Sequence, residues 1–168
     1  RQEYATKDVR HILFKVDESA LDSEAETYEA DLQAAKDAAK TAAEDALAQW
    51  KAGEATEDSF AALANELSTD AGSNTNGGLY TKIYKNQMVT EFNDWCFDAS
   101  RQSGDTGIVY GESSNYKGYH VMYFVGDDVP YWQVQAENAL RNTDTEAWLD
   151  GLLDSAEVVQ EAGMKHVG

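Results

Sequence analysis

Two strand-like segments, each with one histidine, lie more than a hundred residues apart in this chain. His11 stands in Val-Arg-His-Ile-Leu-Phe, and His120 stands in Gly-Tyr-His-Val-Met-Tyr-Phe. Runs of β-branched and aromatic residues favour strands, so we predict strands at 8–16 and 119–125. Helical patterns and turn residues fill the segment between them. This combination argues against an all-β or an all-helical chain and predicts an α+β fold with a small sheet.

Helical periodicity accounts for much of the segment between the two histidines. A capping box at Ser23–Glu26 predicts the start of a long helix that continues to Trp50, and Gly53 is a natural stop. Apolar residues, mostly alanine, recur along this helix at spacings of three and four. Further helices are predicted at 57–67 and 87–99.

Turn residues predict the remaining connections. The stretch 68–78 is rich in Ser, Asn, Asp and Gly, and its Gly77–Gly78 pair predicts positive backbone torsions before the next strand. A short strand at 108–110 and a hairpin connection at 112–117 lead to the last strand. The predicted order is strand, two helices, strand, helix, strand, hairpin, strand.

The segment 127–168 has a different pattern. Pro130 follows an acidic turn, and a capping box at Thr143–Glu146 predicts a helix that buries large apolar side chains. These side chains are Trp148, Leu149, Leu152 and Leu153. Short apolar pieces follow at 158–159 and 164–167. We therefore expect an extension that packs elsewhere, as part of a second domain.

Composition limits the classes of partner. Acidic residues number 31 against 13 basic ones, for a net charge of −18, which disfavours nucleic acid and anionic membrane surfaces. Cys96 is the single cysteine, lies in an amphipathic helical pattern and is expected in the core. His166 has no recognisable partner and is expected at the surface. No apolar run is long enough to cross a bilayer, and the chain opens on Arg1, so any leader or anchor is expected outside this sequence.

Seven short motifs occur in an order and at a spacing that resemble the parvulin family of peptidyl-prolyl cis/trans isomerases, over roughly residues 8–126. The motifs are Val9–Leu13, Phe60–Ala64, Leu67–Asp70, Gly72–Ser73, Asn76–Leu79, Met88–Val89 with Phe92, and Gly118–His120. Within the family, the chain resembles the PrsA-type and SurA-type bacterial foldases, in which an acidic residue stands where eukaryotic parvulins often have cysteine.

The resemblance implies a four-stranded antiparallel sheet surrounded by helices, with an extended first helix and a C-terminal helical extension. The parvulin-like domain would occupy 1–126, with the inserted or extended helix at about 17–56. The extension at 127–168 would belong to a second chaperone domain.

The resemblance also implies a site. His11 and His120 would lie side by side on adjacent central strands, and Asp70 would approach them from the loop after the second helix. Leu79, Met88 and Phe92 would form the pocket for a proline ring. The last two are four residues apart and would share one face of the third helix. Ser68 and Tyr119 are additional candidates.

Each residue taken alone favours a structural role. A histidine on an apolar strand is usually a hydrogen-bonded core residue, and Asp70 in such a loop is ordinarily a turn residue. Met88 and Phe92 at helical spacing are ordinarily core. Only the whole arrangement favours a site. A metal held by His11, Asp70 and His120 agrees with the ligand types, but the family uses neither metal nor cofactor, so we rank it lower.

The implied activity is non-covalent isomerisation of X-Pro bonds in unfolded or newly secreted polypeptides, outside the cytoplasm of a bacterium, at the cell surface or on a membrane anchor. The alternative is a catalytically weak client-binding module with the same fold. Two departures from the family bear on this choice. Gly78 runs directly into Leu79 without the acidic residue that members often have. The segment 17–22 is acidic where phosphate-directed members are basic, so phosphate-specific recognition is not expected.

Overall fold

The computed structural model describes residues 3–114 and 116–155. Contacts divide the chain into two compact units, one ending at Tyr131 and the other beginning at Trp132. The helices and strands of the described part follow in chain order. They are β1 (Ala5–Lys15), α1 (Tyr28–Ala52), α2 (Glu57–Leu67), β2 (Leu79–Ile83), α3 (Thr90–Cys96), β3 (Thr106–Glu112), β4 (Lys117–Pro130) and α4 (Tyr131–Ser155).

The strands of the first unit form one antiparallel sheet in the order β2-β1-β4-β3. The two histidine-bearing strands are therefore its central pair. His11 is opposite Met122, and His120 is opposite Leu13. Because side chains alternate between the two faces of a strand, an offset of two residues leaves both imidazoles on the same face. The predicted α+β fold, with its long first helix and its C-terminal helix, is confirmed.

Helices cover both faces of the sheet. On one face, α1 and α2 pack against Ile12 and Val121 through a buried set made up of Ala43, Ala46, Trp50, Phe60, Leu63 and Ala64. On the other face, α3 packs against Val9 and Met122 through Phe92 and Cys96. Cys96 is completely buried, as predicted, and burial raises the pKa of its thiol to about 12. The imidazoles lie on the α3 face.

The first helix begins later than predicted, at Tyr28 instead of Ser23. Asp22 accounts for the difference, because its side chain accepts a hydrogen bond from the Glu24 N–H, and its carbonyl accepts one from the Ala25 N–H. These local bonds stabilise turns and compete with helix formation. The capping box that the structure does contain begins α2, where Thr56 and Ser59 cap each other.

The third helix is shorter than predicted, and Met88 is not part of it. A turn closes between Tyr84 and Gln87, and Asn86 takes a left-handed conformation with φ of 65°. The Asn86 N–H donates to Asn93 Oδ1 at 2.7 Å. Residues 84–89 are thus fixed as an irregular connection, and helical backbone starts only at Thr90.

Helix α4 corrects the prediction for the tail. It begins directly after Pro130, so Thr143 lies inside the helix, where its hydroxyl donates to the Ala139 carbonyl at 3.0 Å. The four side chains expected to be buried are exposed: Trp148 by 63%, Leu149 by 46%, Leu152 by 47% and Leu153 by 72%. Helical periodicity identified the helix but not its environment. The apolar pieces at 158–159 and 164–167, and His166, lie outside the described residues.

Among residues 3–114 and 116–155, no helix combines the length and the apolar character needed to cross a membrane.

Candidate active site

The loop between α2 and β2 completes the edge of β1 that β2 leaves unpaired. Beyond Arg10, β2 no longer pairs with β1, and the loop supplies the missing hydrogen bonds. The His11 N–H donates to the Gly78 carbonyl, the Leu13 N–H donates to Ser68 Oγ, and the Thr69 N–H donates to the Leu13 carbonyl. Since backbone groups at a buried edge need partners, this attachment is fixed, and it holds the loop against the strand that carries His11.

Glycine is required where the loop meets that strand. Gly77 and Gly78 have φ of +74° and +69°, which confirms the predicted positive torsions. A Cβ on Gly78 would lie 2.2 Å from the His11 carbonyl oxygen. The second glycine therefore permits the close approach that places the loop, and with it Asp70, beside the histidine.

Asp70, His11, His120 and Tyr116 form a continuous hydrogen-bonded set, here called the histidine network. His11 Nε2 is 3.0 Å from Asp70 Oδ2, the two Nδ1 atoms of His11 and His120 are 3.0 Å apart, and His120 Nε2 is 3.0 Å from the Tyr116 hydroxyl. The histidines are 2% and 3% exposed. Every ring nitrogen is thus satisfied inside the protein.

With both imidazoles neutral, one direction of donation satisfies the whole histidine network. A carboxylate only accepts, so His11 Nε2–H donates to Asp70 and His11 Nδ1 accepts from His120 Nδ1–H. His120 Nε2 then accepts from the Tyr116 hydroxyl. Burial and the neighbouring His11 lower the pKa of His120 to about 3, which keeps that ring neutral at physiological pH.

The Asp70 carboxylate is the fixed charge of the site. Hydrogen bonds from His11, Ser73 and Tyr80 hold the pKa of Asp70 well below its usual value, although burial opposes them. All three donors meet at Oδ2, with Ser73 Oγ at 2.6 Å and the Tyr80 hydroxyl at 3.0 Å. A carboxyl group with several donors remains ionised. The site therefore places one negative charge beside the two imidazoles.

An apolar wall stands next to this charge. Phe92 is 1% exposed, and its ring makes edge contacts with both imidazoles, at centroid distances of 5.6 Å and 5.4 Å. The cavity there has a volume of about 280 Å³. Its lining comprises His11, Leu13, Lys15, Asp70, Tyr80, Gln87, Met88, Val89, Phe92, Ser113, Tyr116 and His120. We call this cavity the groove.

Five of the eight residues singled out from the sequence line the groove together. These are His11, Asp70, Met88, Phe92 and His120. The lining does not include Leu79, Tyr119 or Ser68. Ser68 is buried and accepts from the Leu13 and Asp70 N–H groups, so it positions the loop. Tyr119 packs against Tyr110 on the opposite face of the sheet, as alternation along β4 requires.

Sequence reasoning missed Ser73, Tyr80 and Tyr116 as members of the site. Ser73 is fully buried and bonds both His11 and Asp70. The Gly72–Ser73 motif marked this residue in the sequence, but it did not indicate which side chains Ser73 contacts. Tyr80 follows Leu79 by one residue, and strand alternation separates the two side chains. Tyr116 lies in a hairpin where no periodic pattern marks an inward side chain.

In the part of the chain that the structure describes, no group of three or more His, Cys, Asp or Glu side chains is arranged to hold a metal ion.

Comparison with known proteins agrees with the fold. Residues 11–126 match the rotamase family, described as the PPIC-type PPIase domain. No curated protein sequence matches the chain.

Two solved structures are similar to it in fold. One is from the SurA-like chaperones of Campylobacter jejuni, the virulence factor PEB4 and the periplasmic protein Cj1289, with 22% identity and a TM-score of 0.49. The match covers 94% of this chain and 56% of that one. The other is the peptidylprolyl isomerase PrsA of Bacillus cereus, with 24% identity, a TM-score of 0.48, and coverage of 94% and 53%. The chain thus spans little more than half the length of these relatives. The family match covers more than half of the chain, which therefore belongs to the parvulin-type, PPIC-type rotamase family.

Proposed function

We propose that this chain catalyses cis/trans isomerisation of X-Pro bonds in unfolded or newly exported polypeptides. The observation that carries the proposal is the Asp70 carboxylate, whose pKa is lowered, beside two buried histidines and an apolar wall within one groove. Family membership supports the same activity.

The reaction needs no bond to be made or broken. Rotation about a peptide bond has a barrier of about 18–20 kcal/mol because resonance is lost. A planar amide carries more negative charge on its carbonyl oxygen than a twisted one does. A carboxylate near that oxygen therefore destabilises the planar state relative to the twisted state, and the barrier falls. In this proposal Asp70 supplies that charge without forming a covalent bond.

The other residues of the groove have supporting roles in the proposal. Met88 and Phe92 hold the proline ring and exclude water, which strengthens the electrostatic effect of the carboxylate. His11 and His120 orient Asp70 through the histidine network, with no metal or cofactor. Clients are proline-containing polypeptides, whose isomerisation otherwise takes tens to hundreds of seconds.

Isomerase activity is tested by NMR exchange between the cis and trans forms of a proline peptide. We expect Asp70→Asn to lower kcat/KM by about tenfold to a hundredfold, and Phe92→Ala to raise KM. Asp98→Asn is the matched control, since Asp98 is an exposed carboxylate outside the groove. A correctly folded chain with no activity above background would contradict the proposal.

A second candidate function, client binding with weak catalysis, is favoured by α4. Its described part exposes large apolar side chains, including Trp148 and Leu153. In this proposal residues 127–168 belong to a second chaperone domain beside the isomerase domain at 1–126, and the protein acts outside the cytoplasm of a bacterium. Suppression of aggregation that survives Asp70→Asn but is lost in the double variant Trp148→Ser, Leu153→Ser would support it. Loss of both activities in Asp70→Asn would not.

A further inference from the structure

Tyr80 combines two contacts in the groove. Its ring lines the cavity, 5.2 Å from the His11 ring between centroids, and its hydroxyl donates to Asp70 Oδ2 at 3.0 Å. The residue lies on β2, an edge strand that contributes neither histidine. The Tyr80 side chain therefore connects the edge strand to the Asp70 carboxylate.

The two oxygens of Asp70 are bonded unequally. Oδ2 accepts from His11, Ser73 and Tyr80, whereas Oδ1 accepts from the Gly72 N–H at 3.2 Å. His11 reaches Oδ2 from β1, Ser73 reaches it from the same loop, and Tyr80 reaches it from β2. Donors from three separate elements fix both the position and the rotation of the carboxylate. Tyr80 is the donor that comes from β2.

Gly72 leaves room for this hydroxyl. A Cβ at residue 72 would lie 2.9 Å from the Tyr80 oxygen and 3.5 Å from Asp70 Oδ1. Gly72 does not have a left-handed backbone, so conformational freedom alone does not require glycine there. Glycine matters there because a side chain would occupy the space beside the Tyr80 hydroxyl.

We propose that Tyr80 is a positioning residue that orients the Asp70 carboxylate, and that Gly72 is needed to keep the hydroxyl in place. The kinetic consequence rests on the proposed isomerase function, whereas the effect on the carboxylate does not.

The charges around Asp70 agree with this role. The titratable groups that face it are His11 on β1, Tyr80 on β2, and Tyr116 and His120 on the far side of the groove. Burial and the Asp70 charge raise the pKa of Tyr80 to about 12, so its hydroxyl remains a donor at physiological pH. Without that donor, the remaining bonds from His11 and Ser73 hold the carboxylate charge less firmly.

The first test removes the hydroxyl and keeps the ring. In the full chain, Tyr80→Phe should raise the pKa of the Asp70 carboxyl, measured by NMR titration of its side-chain carbon. It should lower kcat/KM for a proline peptide by about tenfold, the effect of losing one hydrogen bond to a charged group. The acid limb of the rate profile should move to higher pH, because Asp70 is protonated sooner.

A second variant displaces the hydroxyl without removing it. Gly72→Ala should shift the Asp70 pKa in the same direction and lower kcat/KM similarly, because the added methyl group moves the Tyr80 hydroxyl. The double variant should resemble either single one, since the methyl group has no hydroxyl left to displace. Tyr110→Phe is the control: it removes the bond that the Tyr110 hydroxyl donates to Glu112 away from the groove, and it should leave the Asp70 pKa and kcat/KM unchanged.

Circular dichroism and thermal melts establish that each variant is folded, and Gly72→Ala decides the outcome if Tyr80→Phe does not fold. An unchanged Asp70 pKa in the folded variants, or additive effects in the double variant, would overturn the inference. An inactive wild type would defeat the proposed isomerase function, but the NMR titration would still decide whether Tyr80 orients Asp70.

Discussion

The floor of the groove buries polar side chains, whereas helix α4 exposes large apolar ones. His11 and His120 are at most 3% exposed, while Trp148 and Leu153 are 63% and 72% exposed. The histidines are buried because every ring nitrogen has a partner, which removes the cost of leaving a polar group unsatisfied. Burial therefore depends on which partners the fold supplies, and residue type alone does not decide it.

The largest expected effect comes from the apolar core beneath the groove. Phe60 is 1% exposed and packs between Trp50 and Tyr123. Phe60→Ala should lower the free energy of unfolding by about 3–5 kcal/mol, because it removes a buried ring and leaves a cavity. Urea denaturation followed by circular dichroism measures this. As a control, Trp148→Ala in α4 removes a larger but exposed ring and should change stability by about 0.5 kcal/mol or less. Equal effects of the two changes would mean that exposure does not separate the two regions.

The next effect is a pH dependence that arises from the buried His120. Its folded-state pKa of about 3 lies below the unfolded value of about 6.5, so the unfolded state binds the extra proton. His120 therefore contributes full stability above about pH 6.5, and this contribution is lost as the pH falls towards 3. Within that pH range, the free energy of unfolding should fall by up to about 1.4 kcal/mol per pH unit.

His120→Gln should flatten this slope between about pH 6.5 and 5, where Asp70 is mostly ionised in both states. Below that range Asp70 adds its own loss of stability, because its pKa is lowered in the folded state. Denaturation at a series of pH values measures both parts. A wild type whose stability is level from about pH 6.5 to 5 would show that His120 is not held neutral.

The smallest effect compares two threonines, one at the N-terminus of a helix and one inside a helix. Thr56 caps α2, where its hydroxyl oxygen accepts from the Ser59 N–H at 3.2 Å. Thr56→Ala should cost about 1 kcal/mol of stability. Thr143 begins a similar motif inside α4, so Thr143→Ala should change stability by only a few tenths of a kcal/mol, in favour of alanine. Thermal denaturation of the two variants tests this difference, and a larger loss in Thr143→Ala would indicate that α4 has a cap there.

Local sequence patterns predicted the features that depend on interactions between residues near each other in the chain. Runs of β-branched and aromatic residues placed His11 and His120 on strands, and the Gly77–Gly78 pair predicted the positive torsions that the structure contains. The pairing of the two strands came from the family resemblance. Local competition caused the errors: hydrogen bonds around Asp22 delay α1, and the left-handed Asn86 keeps Met88 outside α3. A periodic pattern does not record such bonds.

By itself, the sequence determined the α+β fold, the order of its elements and, through the family resemblance, five residues of the groove. Only the tertiary structure decided that Tyr80 bonds Asp70, and that Ser68 bonds the edge of β1. The physical reason is how far apart the contacting residues lie in the sequence. Helix and strand periodicity follow from bonds between near neighbours, whereas these contacts join segments from different elements. They exist only after the sheet has brought those elements together.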